Sequence, residues 1–300
     1  MPLGIDPKVD FAFKRMLGSP EHPAVTIHFL NSVLQLPDPV TEVEVLDPIQ
    51  GKDHFEAKLA VLDILARDRQ GRRFNIEMQT TVPEALGQRL LYYNCCNYTE
   101  QLSEGDGYED LCPAISICVL DKILFPTPTP YHLTFRLHCD QADLVFSDDL
   151  QFHTLELPKF SSPSHNVNSS PPIDQWAFLL KHAPELETAE LSNLFLEAPL
   201  QEALGVLQMI AKSPDERWLY EMRLKAQRDA RAQHNAAIKE GLQQGREQGR
   251  EEGILIGQIQ MLLRFLGDTP ASEEELLTKP LPELNALVAM LQSRFETRQK

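Results

Sequence analysis

The spacing of apolar residues changes several times along the chain, and each change predicts an element. After Asp6 and Pro7, residues 8–17 carry Val9, Phe13 and Met16 at helical spacing together with Phe11 and Leu17, and Gly18 supplies a stop. Past Pro23, Val25, Ile27, Phe29, Leu30, Val33 and Leu34 predict a second, mostly buried helix, in which His28 reads as a packed or surface histidine. Residues 41–46 alternate Val43 and Val45 with Glu42 and Glu44, the period of a strand. Two apolar runs follow, 59–66 and 74–79, joined by a charged turn around Gln70 and Gly71, which predicts a hairpin. Pro83 opens a helix over 84–102, and Ala114 to Leu120 is a continuous apolar run suited to a strand buried on both faces. The order is helix, three strands, helix, strand, an α/β arrangement.

Beyond residue 120 the pattern weakens. Residues 133–137 and 155–157 read as short strands, and the acids at 140, 143, 148 and 149 lack calcium-loop spacing. The Ser- and Pro-rich stretch 161–172 marks a boundary or surface loop, and 173–211 reads as helical pieces. Residues 215–259 form one long charged helical pattern with glycines at 241, 245, 249, 253 and 257. Each glycine costs a helix roughly 0.5–1 kcal/mol relative to alanine, so the repeat needs a reason. A stalk or linker is favoured over a close helix pair between subunits. Amphipathic segments end the chain around Leu262, Leu263, Leu266, Leu284, Leu287, Met290 and Leu291. The expected division is 1–160, a core domain; 161–212, a helical extension; and 213–300, the glycine-repeat helix with a terminal helical segment.

Charge then singles out the hairpin. Asp63 interrupts the first run, while in the second Asn75, Glu77 and Gln79 share one face and Phe74, Ile76 and Met78 the other. Carboxylates buried in a hairpin are costly unless compensated, and two of them suggest a bound cation. An odd connection would set Asp63 opposite Glu77, with side chains roughly 5 Å apart; an even one would send them to opposite faces. On a shared face, Asp63, Glu77 and the Met78 backbone carbonyl would make a hard oxygen site for Mg2+ or Mn2+ rather than Zn2+. Such an ion, with positions open to water and a phosphate oxygen, suits phosphodiester hydrolysis.

These residues resemble a known pattern. Asp63 followed by Glu77-Met78-Gln79 is similar to the D...(D/E)-x-K signature of the PD-(D/E)XK nuclease superfamily, with Gln79 in the lysine position. Together with D-x-x-F-K at Asp10 to Lys14 and R-x-x-x-Y at Arg89 to Tyr93, it resembles the Rpn family of recombination-promoting nucleases, also labelled transposases. The resemblance covers about the first half of the chain, to Phe125. It implies a restriction-endonuclease-like core followed by a mostly helical C-terminal region, and a metal-dependent DNA endonuclease linked to recombination or mobile elements. Asp63 and Glu77 would ligate the metal, and Gln79 would orient water or the phosphate. Lys58 and Asp10 would be supporting residues, although Asp10 and Lys14, one turn apart, also read as a plain surface ion pair. Arg89 and Tyr93 would hold a phosphate or the neighbouring strand; on the plain reading Tyr93 packs and Arg89 meets a carboxylate.

Composition adjusts this picture. The 300 residues are 42% hydrophobic and 24% charged, an ordinary globular balance, but the net charge of -16 is the reverse of what a DNA grip built on phosphate neutralisation requires. Contact with DNA would fall to the metal and to a local rim at Arg67, Arg69, Arg72 and Arg73, which reads equally as a solvated turn. The acidity, the missing lysine and the long charged helix support another class: a nuclease-fold interaction protein of weak catalysis that oligomerises or binds a partner through its C-terminal helices. Five cysteines without paired short spacing read as reduced thiols of a cytoplasmic protein. The start lacks an apolar leader, and no run approaches a membrane span, so a soluble protein is expected.

Overall fold

In the computed structural model the described residues are 2–47, 49–50, 60–161, 167–269 and 271–299. Two compact units divide the chain, Met1–Gln227 and Arg228–Lys300.

The first unit begins with helices α1 (Asp10–Leu17) and α2 (Pro23–Leu34). The expected start of α1 at residue 8 gives way to a turn, in which Asp6 Oδ1 accepts from the Lys8 N–H at 2.9 Å. Gly18 ends the helix as expected, its N–H bonding the Lys14 carbonyl. His28 donates from Nε2 to the Glu197 carboxylate and accepts the Trp176 indole N–H on Nδ1, the structural role expected for it.

Strand β1 (Val43–Leu46) is followed by the two-residue strands β2 (Ile49–Gln50) and β3 (Ala60–Val61), which pair with each other in a separate small sheet. Next come β4 (Ile64–Asp68) and β5 (Arg73–Gln79), the expected hairpin, turning through Gly71 at φ +84°. A side chain at Gly71 would also strike Cys112 Sγ, 2.7 Å from an ideal Cβ, so glycine is required twice over. The first apolar run is therefore not one strand. Its beginning pairs with β2, its end with β5, and the chain bends at Leu62 and Asp63 between them.

Helix α3 (Leu86–Thr99) leads to β6 (Ala114–Leu120), then β7 (His132–His138) and β8 (Val145–Glu156), the last much longer than its sequence pattern suggested. The main sheet has the order β1-β4-β5-β6-β8-β7: antiparallel among β1, β4 and β5, parallel from β5 through β6 to β8, antiparallel again to β7. Period-two alternation splits the residues of β5 and β6 between two faces. Phe74, Ile76, Met78, Ile115, Ile117 and Val119 join the large core with α1 and α2 and with helices α4 (Pro172–His182), α5 (Thr188–Leu194) and α6 (Ala198–Lys212). Cys118 and Leu120 meet Leu86 and Leu90 of α3 in a smaller cluster on the other face. The α/β class and the helix, three strands, helix, strand core are those of a restriction-endonuclease-like fold, with helices following.

Helix α7 (Pro214–Leu266) runs for 53 residues. In the first unit its Tyr220 joins the large core and Gln227 bonds Thr80, next to the end of β5. In the second unit the end of α7, α8 (Glu273–Leu277) and α9 (Leu281–Gln299) share a core of Ile259, Leu262, Leu276, Leu284 and Leu291. An added Cβ at Gly241, Gly245, Gly249, Gly253 or Gly257 would meet nothing within 4 Å. Among the described residues, no helix is long and apolar enough to cross a membrane.

Two predictions follow from this packing. Asn94 of α3 is fully buried and donates from Nδ2 to the carbonyls of Ala114 (3.0 Å) and Gln151 (3.3 Å), fastening the helix to β6 and β8. Asn94→Ala removes both buried bonds and should lower the unfolding free energy in urea by about 1–3 kcal/mol; an unchanged midpoint would remove α3's polar anchor. In α7, Gly249→Ala meets open space and should slow amide exchange in the flanking turns about two- to fivefold, the equivalent of ~0.5–1 kcal/mol of helix propensity.

Candidate active site

Asp63 lies at the bend before β4 rather than inside a strand, a correction to the sequence reading that has a physical cause. Within the sheet its carboxylate would be stripped of water; at the bend it stays partly exposed and finds donors. The Ile64↔Ile76 pair sets the register, and one step further out Asp63 comes across from Glu77. The two are tied through the backbone. The Asp63 N–H donates to Glu77 Oε1 at 3.3 Å, and the Met78 N–H donates to Asp63 Oδ2 at 3.0 Å.

Glu77 projects from the α3 face of β5 and is only 3% exposed. Its second oxygen, Oε2, accepts from Gln79 Nε2 at 3.0 Å, as the shared face of residues 75, 77 and 79 requires. Burial first, and the charge of Asp63 second, raise its carboxyl to about 7. The Asp63 N–H, the charge of Arg89 and a bond from Asn75 pull the other way. Arg89 of α3 lies over the Tyr93 ring at 5.9 Å, and its Nε is buried without a hydrogen-bond partner among the described residues. Tyr93 is pushed up by burial and by the charges of Glu77 and Asp63, against the pull of Arg89. Asp63, Glu77, Gln79, Arg89 and Tyr93 thus form one electrostatic neighbourhood.

On the other side of Asp63 stands Lys14. Its ammonium is 3.2 Å from Asp63 Oδ1 and 2.7 Å from Asp10 Oδ1, so the Asp10–Lys14 pair is more than a surface contact along one helix. Burial works against this ammonium, but the bonds and charges of Asp10 and Asp63 outweigh it and raise its pKa. The motif at Asp10 to Lys14 marked the pair; its reach to Asp63 is long-range and has no local signal. Lys58 lies outside the described residues.

The arginine rim is engaged. Arg67 pairs with Glu44 at 2.7 Å, Arg69 with Glu42 at 3.8 Å and Arg72 with Asp68 at 2.6 Å, while Arg73 donates to the Asn97 carbonyl at 3.3 Å. Glu42 and Glu44 consequently face arginines on the sheet edge and do not extend the acidic pair. Another buried carboxylate, Glu156 at the end of β8, escaped the sequence reading. It holds Lys159 at 3.0 Å and the Leu124 N–H at 2.9 Å, which is structural work.

Among the described residues no three His, Cys, Asp or Glu side chains gather as a metal set. The donor chemistry nonetheless fits a divalent cation. Two carboxylates are held side by side against their mutual repulsion, burial first and that repulsion second raising Glu77 to about 7, and both offer the hard oxygens that Mg2+ takes. Magnesium commonly rests on one or two carboxylates and completes its shell with water and phosphate, so two suffice.

A family model described as PD-(D/E)XK nuclease family transposase matches residues 7–237, a span containing all of these side chains. Neither a curated protein nor a solved structure matches the chain.

The raised Glu77 carboxyl carries its own test in protein freed of divalent ions. An acid whose folded pKa exceeds its unfolded value stabilises the fold fully below the unfolded value near 4.5, and that contribution disappears as pH rises through about 7. Carbon-13 NMR should find Glu77 titrating near 7. In Asp63→Asn, where burial remains but the neighbouring charge is gone, the midpoint should fall while staying above 4.5. An unmoved midpoint would mean that the two acids do not sense each other.

Proposed function

The chain belongs to the PD-(D/E)XK nuclease family of transposases, and from that premise we propose that it is a divalent-cation-dependent endonuclease hydrolysing phosphodiester bonds of DNA. The observation that carries the reading is the reciprocal tie of Asp63 and Glu77, two acids kept together although the nearness of one raises the other's pKa. Asp63 and Glu77, with the Met78 carbonyl, would hold Mg2+ or Mn2+. When bound, the ion lowers the pKa of a water molecule and neutralises charge on the phosphate.

The remaining work belongs to side chains. Gln79 spends its Nε2 on Glu77, which leaves its amide oxygen to accept a hydrogen bond from the attacking water. Being neutral, Gln79 orients and does not add positive charge, so that contribution falls to the arginine on α3. Arg89, with a buried Nε free among the described residues, is suited to a phosphate oxygen, and Tyr93 fixes the plane of its guanidinium from below. The water oxygen joins phosphorus and gives up a proton as the bond to the leaving sugar oxygen breaks, and that oxygen takes up a proton, so that one water is consumed for each bond cut. Five free thiols fit a reducing cytoplasm, where we place this activity.

Asp63→Ala and Glu77→Ala should each reduce Mg2+-dependent cleavage of plasmid DNA by the purified protein about 10²- to 10³-fold or more, the scale for loss of one preorganised electrostatic group. Circular dichroism should be unchanged. Cleavage at the parental rate in either variant would reject the assignment, and would leave the nuclease fold as a platform for partners.

A further inference from the structure

We propose that Lys14 is a positioning residue for the cation site: its ammonium holds Asp63 when no divalent ion is bound, and an incoming ion must shift it onto Asp10. This rests on the reading of Asp63 and Glu77 as cation ligands. The geometry of Asp63 drives the argument. Its Oδ2 is committed to the Met78 N–H, part of the backbone tie between the two strands. The Asp63 oxygen that no backbone donor orients is Oδ1, and it is the atom that Lys14 holds at 3.2 Å. A dication and an ammonium on one carboxylate oxygen repel strongly in a partly buried site, so they exclude each other there.

Asp10 makes the exchange possible. It lies one turn before Lys14 on α1 and already binds the same ammonium at the shorter distance of 2.7 Å. Lys14 can therefore give up Asp63 without losing all compensation for its charge, and its side chain, 37% exposed, has room to do so. Among the described residues the other acid shows no ion pair: Glu77 accepts from a backbone N–H and from the neutral amide of Gln79, and Arg89 acts on it through its charge. An ordinary pair one turn apart on a helix surface would be worth a few tenths of a kcal/mol and would not touch cation binding at all.

Calorimetric titration of Mn2+ into the full chain, as wild type, Lys14→Gln, Asp10→Asn and the double variant, tests this. Lys14→Gln should bind about tenfold tighter, within the range of coupling between directly contacting groups. Asp10→Asn, which leaves the ammonium only Asp63, should bind several-fold weaker, and in the double variant the Asp10 effect should vanish because Lys14 mediates it. Lys14→Met, which keeps the aliphatic stem against α1, gives the same reading should the glutamine variant unfold. Equal or weaker binding in both Lys14 variants overturns the proposal and leaves the ligands standing. So does an Asp10 effect that persists without Lys14, since that would be bulk charge. Absence of Mn2+ binding in every form removes the ligand assignment and this proposal together.

Discussion

The energetic problem around which the acid-bearing end of the sheet is built is the closeness of two like charges. Asp63 and Glu77 repel, and one of them is almost fully buried, yet each is fixed by a backbone N–H from the other's strand or the strand's next residue. Those bonds form only if the chain leaves the ladder at Asp63. A continuous strand would aim the carboxylate into the sheet face with no donor to meet it. The bend separating the small sheet from the large one is the place where both bonds are made. Lys14 and Arg89 then flank the pair from opposite faces, one from α1 and one from α3, and bring the local charge close to balance without filling the site.

Much of this was legible in the chain. The alternation of residues 74–79 placed Asn75, Glu77 and Gln79 on one face, and the Glu77–Gln79 bond follows from that period directly. The position of β6 was equally plain, because a run such as Ala114 to Leu120 has nowhere to go but between two layers. What failed were inferences about charge and continuity. An apolar run does not announce that it will be shared between two sheets, so the break at Asp63 was invisible. The four arginines were read together, as a rim for DNA or equally as a solvated turn, and neither reading named their partners: Glu44 of β1, Glu42 just before it, and Asp68 of the hairpin itself. Lys14 is the instructive case. Helical spacing gave its near partner, Asp10, and concealed its far one, since contacts at long sequence separation leave no periodic trace.

Helix α7 presents the opposite situation, a feature obvious in sequence whose reason is not steric. Five glycines at four-residue intervals should cost roughly 2.5–5 kcal/mol against alanine, and none of them is demanded by a neighbouring atom of this chain. The same helix is held in the first unit through Tyr220 and Gln227, whose contacts with Asp6 and Thr80 lie in the turn before α1 and just past the end of β5. Packing thus explains where α7 begins, and at the far end of the glycine stretch Leu255 and Ile256, between Gly253 and Gly257, join the core of the second unit.

The acidity of the protein bears on how it would meet DNA. With a net charge of -16 and the four rim arginines engaged, long-range attraction to a polyanion is lacking, and surface ion pairs such as Arg67 with Glu44 contribute little that could be redirected cheaply. Affinity on the proposed reading must then be concentrated where phosphate, cation and Arg89 meet. A site of that kind is demanding about its contents: without the cation, a phosphate approaching Asp63 and Glu77 faces two carboxylates, and with it the same acids become the means of holding the phosphate in place. Binding of DNA and loading of the cation are in that case one coupled event, and a lysine tethered to the acid pair is well placed to set its threshold.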